Sequence, residues 1–261
     1  MQQYVGDACV DWVARSQQLT TFLPLAQPTI ALQHKGKEAN SMRQTTWYGA
    51  NAPSAYNEAT LTLRHQIADA ARDYQWPQLL EVLQWNSGWV NSSRPGGKAG
   101  FAPLHQAAYG NAPVAVVQKL LELGAWRSLT NAEGEQAVEI AQKWGYESLV
   151  PLLQPTYLHD VPDETLQAIQ THFHAVIAGR AKDLLTDADF RLPELTVLLE
   201  LPEPRMDCPI PGMYGGFSYW LAETGASAKL VTESACRVVG GSGQRHEITA
   251  AGSELVAEGF A

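Results

Sequence analysis

The sequence predicts a short stack of paired helices followed by an α+β unit with a curved antiparallel sheet. Three observations predict this. Residues 58–154 read as helix after helix with brief breaks, and they resemble themselves at an offset of 34 residues: aligning Ala107 with Ala141 lays "PLHQAAYGN" over "AVEIAQKWG" and "VAVVQKLLELGA" over "YESLVPLLQP". The 3.6-residue periodicity then gives way, near Leu192, to extended segments punctuated by glycine. Finally, 261 residues with 45% hydrophobic and 17% charged side chains are enough to bury a sizeable core without staples.

Taken in order, residues 1–57 mix short apolar runs with turn formers and form an N-terminal extension or cap. A basic cluster there, His34, Lys35, Lys37 and Arg43, reads as a solvated face. In residues 58–155, "EATLTLRHQIADAARDYQ" places Leu61, Leu63, Ile67, Ala70 and Ala71 near helical spacing. "PQLLEVLQW" follows, with Pro77 suited to a helix first turn. The polar loop "NSSRPGGKAG" separates this pair from "FAPLHQAAYG" and its partner "APVAVVQKLLELGA", and a third pair follows. Pro103 presets a helix start, Leu104 and Leu120 are core positions, and Ala107 and Ala108 let neighbouring helices approach closely. Gly124 suits a left-handed cap.

In residues 156–261, "DETLQAIQTHFHAVIAG" is one amphipathic helix, with Asp163 as N-cap and Gly179 at its end. "PGMYGGFSYWLAE" is a strand. "AKLVTESACRVV" and "QRHEIT" form a hairpin turning near Gly241 and Ser242, which sets Arg237 opposite His246 and Cys236 opposite Glu247. "GSELVAEGF" closes the sheet.

The segment "APLHQAA", with Pro103, Leu104, His105, Ala107 and Ala108, and the partner "VVQKLLELGA" resemble the ankyrin repeat. Ala102 stands where that repeat usually has threonine, and the flanking units are degenerate, giving about three repeats. The resemblance implies a structural, backbone-bonded His105 and a surface that binds other proteins. With "LTTFLP", "HKGKEA" and "PGMYGGFSY…RVVGGSGQRHEIT", most of the chain resembles a group of bacterial ankyrin-repeat proteins of no established activity, which implies no site residues.

Composition narrows the function. A net charge of −9 argues against nucleic acid as partner and favours a protein. No window approaches 18 apolar residues, so no membrane span is expected. The start "MQQYVGDACVDW" lacks the features of a secretory signal. Three scattered cysteines, Cys9, Cys208 and Cys236, suit a reducing, cytoplasmic setting. His172 and His174 lie two apart on a helix, the wrong spacing for a metal pair, and "GGSGQRHEIT" lacks a P-loop lysine; neither metal nor cofactor is expected. A non-catalytic interaction protein follows, with a partner surface at the turn tips: Arg94, Lys98, Trp126, Arg127 and Asn131. Trp126 beside Arg127 has hot-spot composition, although the same Trp could pack beneath the N-terminal region. The alternative is a binding or enzymatic C-terminal domain of nuclear-transport-factor type, with Tyr214, Tyr219, Glu233, Arg237 and His246 lining its pocket.

Overall fold

Among the described residues, helices come in consecutive pairs until residue 153, and strands do not begin until residue 205. The computed structural model describes residues 45–237 and 241–259. The basic cluster and Cys9 lie outside the described residues. The pairs are α1 (Glu58–Arg72) with α2 (Trp76–Trp85), α3 (Pro103–Tyr109) with α4 (Val114–Glu122), and α5 (Ala137–Lys143) with α6 (Val150–Leu153). Local chemistry starts and stops them. The Asn57 side chain caps α1 by accepting from the Thr60 amide at 2.8 Å, and Pro103 opens α3. Each first helix ends in a left-handed residue, Tyr74, Asn111 or Gly145, and Gly124 takes the left-handed conformation after α4.

The pairs stack through small side chains. Ala107, Ala108 and Ala141 are wholly buried, which lets α3 sit against both α1 and α5. Leu104 and Leu120 are core, as expected, together with Ile67, Leu79, Leu83, Val117, Ile140 and Leu149. His105 ties two units together. Its Nδ1 accepts from the Ala102 amide at 3.1 Å, so Nε2 carries the proton donated to the Leu129 carbonyl at 2.9 Å.

The second core lies between α7 (Asp163–Asp187) and a five-stranded antiparallel sheet. Strands β1 (Arg205–Ile210), β2 (Gly215–Glu223), β3 (Lys229–Cys236), β4 (Ser242–Thr249) and β5 (Gly252–Glu258) pair in chain order and leave the sheet open. The class is therefore α+β. Met206, Cys208, Phe217, Tyr219, Leu230 and Ile248 line one face of the sheet and pack with Ile169, Phe173 and Ile177 of α7. Register shifts in β2 and between β4 and β5 bend the ladder locally.

Two sequence expectations fail here. Helix α7 starts at Asp163 behind Pro162, so Asp163 lies in the first turn and is not the cap. The helix also runs past Gly179 to Asp187. Gly179 is exposed and nothing crowds it, and the break in helical geometry comes two residues later at Ala181, with φ −143° and ψ 23°. The β3–β4 register differs too: Cys236 pairs with Ser242, Glu233 with Arg245 and Thr232 with His246. Gly243 is the reason. It sits inside β4, where a Cβ would lie 2.6 Å from the Gly259 carbonyl oxygen, so this glycine permits close strand approach and is not a turn residue.

A strap, residues 45–53, joins the two cores. The Trp47 amide donates to Asp207 O at 2.7 Å and the Asp207 amide to Thr45 O at 2.9 Å, so the strap lies along β1. Farther on it meets Phe190 and Arg191, with Arg191 N donating to Gly49 O at 2.8 Å.

Candidate functional site

The most conspicuous surface is a row of aromatic rings at the C-terminal ends of the first helices. Tyr74, Tyr109 and Trp144 are 44%, 43% and 51% exposed, although most large aromatics lie mainly inside a fold. They form a continuous row. Tyr74 lies against Trp76 at 5.5 Å and packs over Gly110, where a Cβ would fall 2.3 Å from its ring. Tyr109 meets Trp144 edge to face at 5.6 Å and Phe101 at 6.1 Å. The helices beneath are held by the alanine-rich core, so the rings sit on a rigid base. Sequence reasoning missed this row. The signal was present, an aromatic residue near the end of each first helix at residues 74, 109 and 144, but it was overshadowed by the turn tips.

The expected tip surface is divided. Lys98, Trp126 and Asn131 all border a groove of about 850 Å³ between the strap, two turn tips and residues 189–194. Arg94 points elsewhere, forming an ion pair with Asp69. Arg127 is spent internally, with its Nε donating to Leu152 O at 2.8 Å. Trp126 is a packing residue: it stacks on Trp47 at 6.0 Å with rings 2° from parallel. Asn131 is buried and shapes its own turn, its Oδ1 accepting from the amides of Glu133 and Glu135. Lys98 alone of the five is an exposed group without an ion-pair partner among the described residues.

The expected C-terminal pocket residues do not converge. Tyr219 is buried under α7, 4.8 Å from the Phe173 ring, and its hydroxyl meets Met206 Sδ. Tyr214 is 74% exposed on the β1–β2 turn. Arg237 is exposed beyond the end of β3. Glu233 points to the opposite face from Tyr219 and pairs loosely with Arg245 at 3.5 Å. His246 shares the inner face with Thr232. The reason is that Phe173, Phe217 and Tyr219 fill the space between helix and sheet. Of the five, Glu233 alone borders a large groove, a second one of about 720 Å³ on the outer sheet face.

Titration follows burial. Desolvation lowers His105 to about 4, keeping it neutral and able to bridge Ala102 and Leu129. Burial likewise pushes the Cys208 thiol and the Tyr219 hydroxyl up, so neither ionises near neutral pH. Burial also lowers His174, whose Nε2 lies 2.8 Å from the Pro193 carbonyl oxygen. Among the described residues no group of three His, Cys, Asp or Glu side chains is placed to hold a metal ion, and no helix is long and apolar enough to cross a membrane.

No family model and no curated protein matches the chain. Among solved structures, it is similar to a chain in a complex of a predatory endopeptidase from Bdellovibrio bacteriovorus with an immunity protein. The two are 18% identical over 51% of this chain and 71% of that one, with a TM-score of 0.31, too low to indicate a shared overall fold.

Proposed function

We propose that this chain is a non-catalytic protein-interaction protein built on a short ankyrin-type stack, with the Tyr74–Tyr109–Trp144 row as its contact surface. The exposed row carries the reading. Tyr and Trp are enriched among interface hot spots because they offer large contact area at little conformational cost. Rings already ordered on a packed base lose less freedom on binding than mobile side chains do. The repeated helix pairs, the "PLHQAA" start of α3 and the bridging role of His105 support the ankyrin part. The net charge of −9 supports a protein partner over a nucleic acid.

The test compares wild type with a Tyr109→Ala, Trp144→Ala double variant as baits in affinity capture from the native host. The expected outcome is at least one protein retained by wild type and lost by the double variant, at an unchanged melting temperature. Identical recoveries from both baits would remove the row from the account.

A further inference from the structure

Two successive turn tips are equivalent in the stack but are met by different groups. Gly100 and Gly134 hold positive φ angles of 65° and 81°, each three residues ahead of the first residue of α3 or α5. The tips before them, residues 93–97 and 127–131, therefore correspond. At the later tip, carboxylates cap the backbone. The amides of Arg127 and Ser128 donate to Glu200 at 3.1 and 2.6 Å, and the Thr130 amide and hydroxyl donate to Glu194 at 3.0 and 2.9 Å. Both glutamates come from this chain's own segment between α7 and β1.

The earlier tip has no such cap. The Gly96 amide, equivalent to that of Thr130, donates to the Asn51 carbonyl at 2.7 Å. No carboxylate meets the Ser93 and Arg94 amides among the described residues. This tip opens instead on the 850 Å³ groove. Lys98, exposed and without an ion-pair partner among the described residues, stands on its edge, and the rings of Tyr48, Trp126 and Phe190 form part of its wall. The groove's own anions are already engaged: Asp189 accepts from Asn51 Nδ2 at 2.7 Å, and Glu194 is ion-paired with Arg191.

We propose that the Ser93–Lys98 tip binds an acidic, extended segment of another polypeptide, whose Glu or Asp side chain meets the tip amides and Lys98 while a neighbouring apolar side chain rests on Tyr48 and Trp126. The occupant is a peptide because the equivalent tip takes a peptide: Glu194 and Glu200 belong to one short segment rich in leucine. The groove is also much larger than a lone carboxylate requires. Charge complementarity selects the acidic class, since a carboxylate on backbone amides and an ammonium forms charge-assisted hydrogen bonds. The site is separate from the aromatic row and does not depend on it.

The experiment uses the full chain and two fluorescein-labelled ten-residue peptides read by fluorescence anisotropy. One has the sequence of residues 192–201; the other carries Glu194→Gln and Glu200→Gln. The acidic peptide is expected to bind about tenfold more tightly than its amide copy. Lys98→Glu is expected to weaken it about tenfold without moving the melting temperature, while Tyr109→Ala with Trp144→Ala leaves it unchanged. Equal binding of the two peptides, or none, overturns the proposal. So does binding that is indifferent to Lys98→Glu, which would place the peptide on the Arg127–Thr130 tip in exchange for the chain's own segment.

Discussion

The two halves of this molecule treat aromatic residues in opposite ways. The sheet half buries them: Phe173, Phe217 and Tyr219 form the middle of its core, at most 2% exposed. The stacked half has a fully buried core of alanine, leucine, isoleucine and valine, with its aromatic rings at the margin or outside. Geometry explains the difference. A helix packed on a sheet leaves a layer about 10 Å thick that large rings fill well. Helices packed through Ala107, Ala108 and Ala141 come too close for rings to fit between them. Aromatic residues of the stack must then lie outside, and whether they sit there idle or as a binding surface is the central question.

Truncation should separate the halves most sharply. Phe173→Ala is expected to cost about 3–5 kcal/mol and Leu120→Ala about 2–5 kcal/mol, because both leave cavities in dry cores. The Tyr109→Ala, Trp144→Ala pair should cost less than about 1 kcal/mol, as exposed positions do. Denaturant midpoints at constant m-value measure all three. A loss at Tyr109 and Trp144 as large as that at Leu120 would make the row a part of the core and erase the contrast.

A smaller effect probes how the stack is stitched. His105 is held near pKa 4 by burial, below its unfolded value near 6.5. The unfolded chain therefore takes up a proton first as pH falls, and the stability tied to neutral His105 is full above pH 6.5 and lost between there and about 4. Between pH 7.5 and 5 the loss from this residue should be roughly 2 kcal/mol. Chemical denaturation at the two pH values, in wild type and in His105→Gln, isolates it. An equal pH dependence in both proteins would show that His105 is not the titrating group.

What the sequence revealed follows the range of the interactions involved. The helix pairs were legible because Pro103, Leu104, Ala107 and Gly124 act within a turn or two of their own position. The antiparallel hairpins were legible as elements, from their alternating pattern. Register was not: Gly243 reads as a turn residue until its close approach to Gly259, on another strand, is known. Trp126 needed its stacking partner Trp47, 79 residues away, before it could be placed in the core. The capping of Arg127, Ser128 and Thr130 by Glu194 and Glu200 spans more than 60 residues and leaves no local pattern. The aromatic row was present at a regular spacing, but an exposed ring and a buried ring look alike in a sequence.

The contrast between the halves is tested most directly by photo-crosslinking. p-Benzoylphenylalanine placed singly at residue 109, 144 or 214 samples two rings of the stack row and, as control, the most exposed tyrosine of the sheet half. Irradiation in the native host should join positions 109 and 144 to the same protein and leave position 214 without that product. Crosslinks equal in identity and yield at all three positions, or none at 109 and 144, would contradict the account.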